Sequence, residues 1–152
     1  MTLSQTEAPI TMSQIAEIEN YVALVFPKEY KEHLLKFNGG QCQPNVFTFN
    51  ENGSITNSYI DWFLAIYDGE YDNLKKYIEN YKINHQRLPS RILPIAHDPG
   101  GNLICISCDG EDMGSIYFWD HENEAGKENF TNLYLISKSF NDFINNLKED
   151  FD

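Results

Sequence analysis

Positive charge is scarce in this chain. Eleven Lys and Arg stand against 23 Asp and Glu, which leaves a formal charge of −12 and a pI near 4.6. Phosphate backbones and anionic membrane surfaces would be repelled, so the balance argues against nucleic acid and membranes as partners and for a basic macromolecule. Solubility alone accounts for the charge equally well on composition. Long apolar runs are missing too. No stretch approaches the ~18 residues of a membrane span, and the start MTLSQTEAPI has neither a basic head nor an apolar signal core, so the expected location is cytoplasmic. Three cysteines, an odd number, fit free thiols in a reducing compartment better than a disulfide framework. There is no GxGxxG, GxxxxGK[ST] or GxSxG, so dinucleotide, P-loop and serine-hydrolase chemistry lack their usual signals, and no cofactor is expected.

What is present is enough to fold. Of 152 residues, 41% are hydrophobic and 14% aromatic, which supports one domain over residues 11–152 after a loose arm at 1–10. The chain is organised around residues 93–124. Residues 102–108 read as a strand apolar on both faces, Leu103 and Cys105 pointing one way and Ile104, Ile106 and Cys108 the other, the pattern of a central strand. Residues 109–114 are turn formers, and Ile116 to Trp119 resume the apolar run, so a hairpin is expected, with Pro89 and Pro94 bracketing its approach.

Around this hairpin, Thr11 with Gln14 signals a capping box for a helix with Ile15, Ile18, Val22 and Val25 on one face. Pro27 opens a second helix with Tyr30, Leu34 and Phe37 inward, stopped by Asn38-Gly39-Gly40. Val46 to Phe49 suggests a strand and Asn52-Gly53 a turn, after which residues 54–67 offer one or two strands too apolar for a solvated edge. Asp72 can cap a third helix with Leu74, Tyr77, Ile78 and Tyr81 as its stripe and Lys75, Lys76 and Lys82 outward. Leu133 to Ile136 reads as a short strand, and Ser139 caps a last helix carrying Phe140, Phe143, Ile144 and Leu147. The order has no repeated βα unit, so the fold class is α+β, a central mostly antiparallel sheet packed with about four helices.

The series LPIAHD..GN.ICIS, G.IYFWDHE and SF..F...L, with FPKEYKEHLLKFNGG at residues 26–40, resembles the SUKH superfamily from about residue 11 to the end. Phe26 stands where the family usually has Leu. Bacterial members are mostly immunity proteins. The resemblance therefore implies a non-enzymatic antitoxin whose partner is a cognate toxin C-terminal domain, of the LXG-delivered type, and a SUKH-like fold.

The charge pattern supplies candidate contacts. Between Ile92 and Gly126 there is no Lys or Arg, while Asp98, Asp109, Glu111, Asp112, Asp120, Glu122 and Glu124 all fall there, at strand ends. Glu70 and Asp72, beside Tyr67 and Tyr71, form a second group, and acids next to aromatic anchors are the ingredients of an interface. Asp is also simply a turn former, and Tyr117 and Trp119 suit a core, Trp119 especially. Other chemistry is thinner. Cys105 and Cys108 have CxxC spacing, yet three residues along a strand put the thiols on opposite faces, so neither a shared metal nor a disulfide is expected. Residues 121–125 begin like HExxH but Ala125 replaces the second histidine. His97 with Asp98, or Asp120 with His121, could be an acid–base pair, and an enzyme using His97, Asp98 and His121 would need them joined in one concave site. A regulatory adaptor that binds other proteins is the remaining alternative.

Overall fold

Thr11 and Gln14 close the capping box, the Thr11 hydroxyl accepting from Gln14 N at 3.3 Å and the Gln14 side chain accepting from Thr11 N at 2.9 Å. They start helix α1 (Met12–Val22) in the computed structural model, which describes residues 1–123 and 131–149. Ile15 and Ile18 face inward, whereas Val25 lies past the left-handed Ala23 that ends the helix and is exposed. Helix α2 (Lys28–Lys36) follows Pro27 and buries Tyr30, His33 and Leu34. It stops before Asn38-Gly39-Gly40, where Gly40 sits at φ +96°, so close to the N-terminal segment that a Cβ would collide with the Ser4 carbonyl.

That contact reflects a pairing the sequence did not announce. Strand β1 (Thr2–Ser4) runs antiparallel to β2 (Gln41–Gln43), so the residues expected as a loose arm are bonded to the rest of the chain. Strands β3 (Val46–Glu51) and β4 (Ser54–Tyr59) form the expected hairpin about Asn52-Gly53, both at positive φ. The run from 54 to 67 divides. Its polar part, β4, has Ile55 in solvent, and its apolar part enters the main sheet as β5 (Trp62–Phe63).

The main sheet is antiparallel throughout, in the order β5-β6-β7-β8-β9, with β6 at Ile92–His97, β7 at Leu103–Ser107, β8 at Ile116–Trp119 and β9 at Leu133–Ser137. The hairpin β7–β8 is as expected. Residues 92–97, expected only as its approach, are instead a full central strand, fully apolar in its first five positions. Pro94 masked it, but the register shifts between Pro94 and Ala96, a place where a residue without an N–H is tolerated in a sheet.

The two faces of β7 divide as its alternation demands. Ile104, Ile106 and Cys108 join the large core with α1, α2, β3 and helix α4 (Phe140–Asn145), which Ser139 caps as expected. Leu103 and Cys105 join a smaller cluster with Leu88, Ile92 and Trp119, flanked by Tyr77 and Tyr81. Those tyrosines come from helix α3 (Leu74–Ile78) and the π-helical turn that continues it, Glu79–Asn84. Asn73, not Asp72, caps α3, accepting from Lys76 N at 3.1 Å. Lys82, expected outward, lies on the wider π turn with its ammonium against the carbonyls of Pro89 and Ser90 at 3.1 and 3.0 Å. Burial there pushes its pKa down to about 8. The architecture is α+β, four α-helices among the described residues packed on a central antiparallel sheet.

Candidate functional site

The antiparallel register sorts the predicted acids onto two opposite ends of the sheet. The upper end carries the turn from 98 to 102, the segment after Trp119, and Asp72, while the lower end carries the turn from 108 to 115. Five residues of β7 separate them, roughly 17 Å at the rise of a strand. The acids therefore form two groups and not one rim.

At the upper end, Asp98 is only 5% exposed. Its carboxylate accepts from Gly100 N, Asn102 N, Asn102 Nδ2 and Ser58 Oγ at 2.9, 2.9, 3.0 and 2.9 Å. The first three close the turn, and the fourth ties β4 to the main sheet. Asn102 passes the order on, its Oδ1 accepting from His121 N at 3.1 Å and lying 2.7 Å from His121 Nδ1. Asp120 accepts from Glu122 N at 3.0 Å and Asn123 Nδ2 at 2.6 Å, shaping the short 3-10 turn His121–Asn123, from which Glu122 projects into solvent. Asp72, half-buried, meets His97 Nε2 at 2.6 Å, while His97 Nδ1 donates to the Asp98 carbonyl at 3.0 Å. Glu70 is exposed two residues before it.

At the lower end Asp112 is engaged in the same manner by different donors. Arg91 Nε and Nη2 reach it at 2.9 and 2.6 Å, Ser107 Oγ at 2.7 Å and Tyr117 OH at 2.6 Å. The bidentate guanidinium holds its carboxyl well below the usual carboxylate range, and the phenol of Tyr117, partly buried against that carboxylate, is pushed up to about 12. Arg91 stands just outside the basic-free window, so in space the window is not free of cations. Asp109 and Glu111 remain exposed, the Asp109 carboxylate accepting from Gly110 N of its own turn at 2.8 Å. Glu124 lies outside the described residues.

Of the predicted acids, then, Glu70, Asp109, Glu111 and Glu122 face solvent, Asp72, Asp112 and Asp120 are half-buried and bonded, and Asp98 is buried within the fold. The aromatics divide as sharply. Trp119 is wholly buried, with Arg87 5.2 Å over its ring, whereas Tyr71 is 76% exposed. Sequence reasoning missed Glu7, Asp61 and Trp62. The fold brings Trp62 opposite His97 through β5, and Glu7 lines the same pocket as Trp62. The Asp61-Trp62 dipeptide was a local signal for the first group, but nothing local marks Glu7.

Catalytic geometry does not assemble around the histidines. His97 is engaged by Asp72 and the Asp98 carbonyl and His121 by Asn102, so the two imidazoles are joined only through Asp98 and Asn102 and meet no common point. Cys105 and Cys108 lie in the two clusters on opposite faces of the sheet, both buried, and burial pushes the Cys108 thiol up to about 12. Among the described residues no three His, Cys, Asp or Glu side chains converge to hold a metal, and no helix is long and apolar enough to cross a membrane.

A family model described as SMI1/KNR4 family (SUKH-1) matches residues 9–146. The chain is also similar to the SPbeta prophage-derived uncharacterized protein YokK of Bacillus subtilis (strain 168), 29% identical over 154 residues that cover 92% of this chain and 76% of that protein.

Proposed function

We propose that this chain, which belongs to the SMI1/KNR4 family (SUKH-1), is an immunity protein that binds a cognate toxin domain and neutralises it without catalysis. The family is known for immunity proteins of polymorphic toxin systems. The partner in this reading is the C-terminal domain of an LXG-type toxin, basic and of the nuclease kind.

The observation that carries the reading is the set of carboxylates the fold leaves to solvent at the sheet ends, Glu70 and Glu122 above and Asp109 and Glu111 below, on a chain of charge −12. Asp120 adds charge behind them, Asp72 is bonded to His97 and Asp112 is paired with Arg91, so those two add little net field, and buried Asp98 holds the upper turn in shape. Glu124 belongs to the same group by sequence. An anionic surface steers a cationic partner in and suppresses wrong ones, and a protein seated over a phosphate-binding groove excludes the nucleic acid that would occupy it. The antiparallel sheet suits this role because its turns are fixed by hydrogen bonds, so little ordering is left to do on binding.

The test is co-expression with the C-terminal domain of an LXG-type toxin from the same genome. Growth should be restored by the wild-type chain. Cells poisoned equally with and without it would reject the immunity reading.

A further inference from the structure

The flank of the upper end holds a pocket of about 190 Å³ between the edge strand β5 and the N-terminal segment, lined by Trp62, Tyr67, Tyr71, Asp72, Glu7 and Gly40. It is smaller than the ~300–1,000 Å³ of small-molecule and cofactor sites, and so has room for about one side chain. We propose that it is the receptor for a single arginine side chain of the protein partner, the guanidinium lying against the aromatic rings and paired with Glu7 and Asp72. This deepens the immunity reading and rests on it for the partner's identity.

The chemistry selects the ligand. Three aromatic residues line the pocket, a residue type whose ring attracts cations, and two carboxylates supply planar acceptors. An apolar anchor would cover the Glu7 carboxylate without pairing it, and an anion would be repelled. Among cations, a planar guanidinium can stack and donate two parallel N–H bonds to a carboxylate at once, which a lysine ammonium cannot. Asp72 uses Oδ1 on His97 at 2.6 Å, and that bond fixes its carboxylate while Oδ2 makes no such contact among the described residues.

The walls are built before any ligand arrives. Asn38, buried between them, accepts from Ile66 N at 2.8 Å and donates to the Ile66 and Ala8 carbonyls at 2.8 and 2.9 Å, while its own carbonyl accepts from Glu7 N at 2.9 Å. One side chain thus spans the segment that leads from β5 to Tyr67 and the segment that carries Glu7. Buried Asn73 donates to the Tyr67 and Gly69 carbonyls, both at 2.8 Å. The Tyr67 ring folds back over Gly69, where any Cβ would overlap it, and its hydroxyl donates to the Tyr71 carbonyl. Walls fixed in this way reduce the entropy a bound side chain must offset.

The test uses the full chain and acetyl-arginine-amide, with acetyl-lysine-amide and acetyl-citrulline-amide as controls, followed by amide and indole NMR shifts. Saturable shifts are expected at the Trp62 indole and at Gly40 and Tyr67, larger for arginine than lysine and absent for the uncharged citrulline. No saturable shift up to the solubility limit, equal shifts with citrulline, or shifts scattered over all exposed acids would overturn the proposal. A second arm measures affinity for the toxin domain with Tyr71→Ala and Glu7→Gln, both at exposed positions that leave the fold intact. Each should weaken binding, Tyr71→Ala by about 30-fold, the loss of one hot-spot contact. Wild-type affinity in both variants would remove the pocket while leaving the immunity reading standing. A wild-type chain that takes up the arginine probe but no toxin domain would do the reverse.

Discussion

The two acid-bearing turns at opposite ends of the sheet make an instructive pair. Each is built around one aspartate that accepts four hydrogen bonds, Asp98 above and Asp112 below. Above, every donor is neutral and the carboxylate is buried. Below, two of the four donors belong to one guanidinium and the group is half exposed. In both turns the acids that look alike in sequence divide between one that makes the turn and neighbours that are left to solvent. Negative charge at a strand end is therefore not by itself an interface, and what separates the two roles is whether amide and hydroxyl donors converge on the carboxylate.

The largest expected effect breaks the upper turn. Asp98→Ala removes the acceptor for four donors and the tie to β4, and should cost roughly 3 to 4 kcal/mol in urea unfolding, with Asp98→Asn costing less because one oxygen remains. A loss below ~1 kcal/mol would mean that the turn holds without its aspartate.

Next comes acid, which separates the turns from the core beneath them. His33 lies buried among Phe37, Phe63 and Phe140, and desolvation pushes its pKa down to about 4 from an ordinary 6.5. Between those values the unfolded chain binds the extra proton, so this stability is complete above pH 6.5 and falls by about 3 kcal/mol as pH drops to 4. Asp112, whose pKa is depressed, contributes stability that is present above its ordinary 3.8 and is lost only as pH falls below that. Urea titrations from pH 7 to 3 should show the first loss vanish in His33→Leu and persist in Asp112→Asn. The opposite pattern would reverse the assignment.

Smaller again, Asp112→Ala should cost about 2 kcal/mol, less than Asp98→Ala, because Arg91 and Tyr117 can turn to water once released. An equal or larger loss would erase the distinction drawn between the turns.

Much of this fold was legible. The capping box at Thr11, the Asn52-Gly53 turn, the β7–β8 hairpin, the opposite facing of Cys105 and Cys108 and the Ser139 cap are all set by local chemistry, and local chemistry is written in sequence. What was hidden depends on distant groups. β6 was masked by Pro94 because only the sheet register shows that the proline falls at an irregularity. Lys82 turned inward because a π turn replaced the α turn that the stripe implied. The site was less legible than the fold. Nothing in the seven-residue charge pattern could say that Asp98 would find Ser58 or that Asp112 would find Arg91, forty and 21 residues away. Nor could it place Glu7 on the same pocket as Trp62, where Asn38 ties the Glu7–Ala8 segment to Ile66.

The central claim, that the acids left to solvent do the docking, is tested most directly by stopped-flow association with the toxin domain at low and high salt. Glu70→Lys with Glu122→Lys should shift stability by less than ~0.5 kcal/mol and slow association about tenfold at low salt, a deficit that shrinks as salt rises. Association as fast as wild type at low salt, in this pair and in Asp109→Lys with Glu111→Lys, would contradict it.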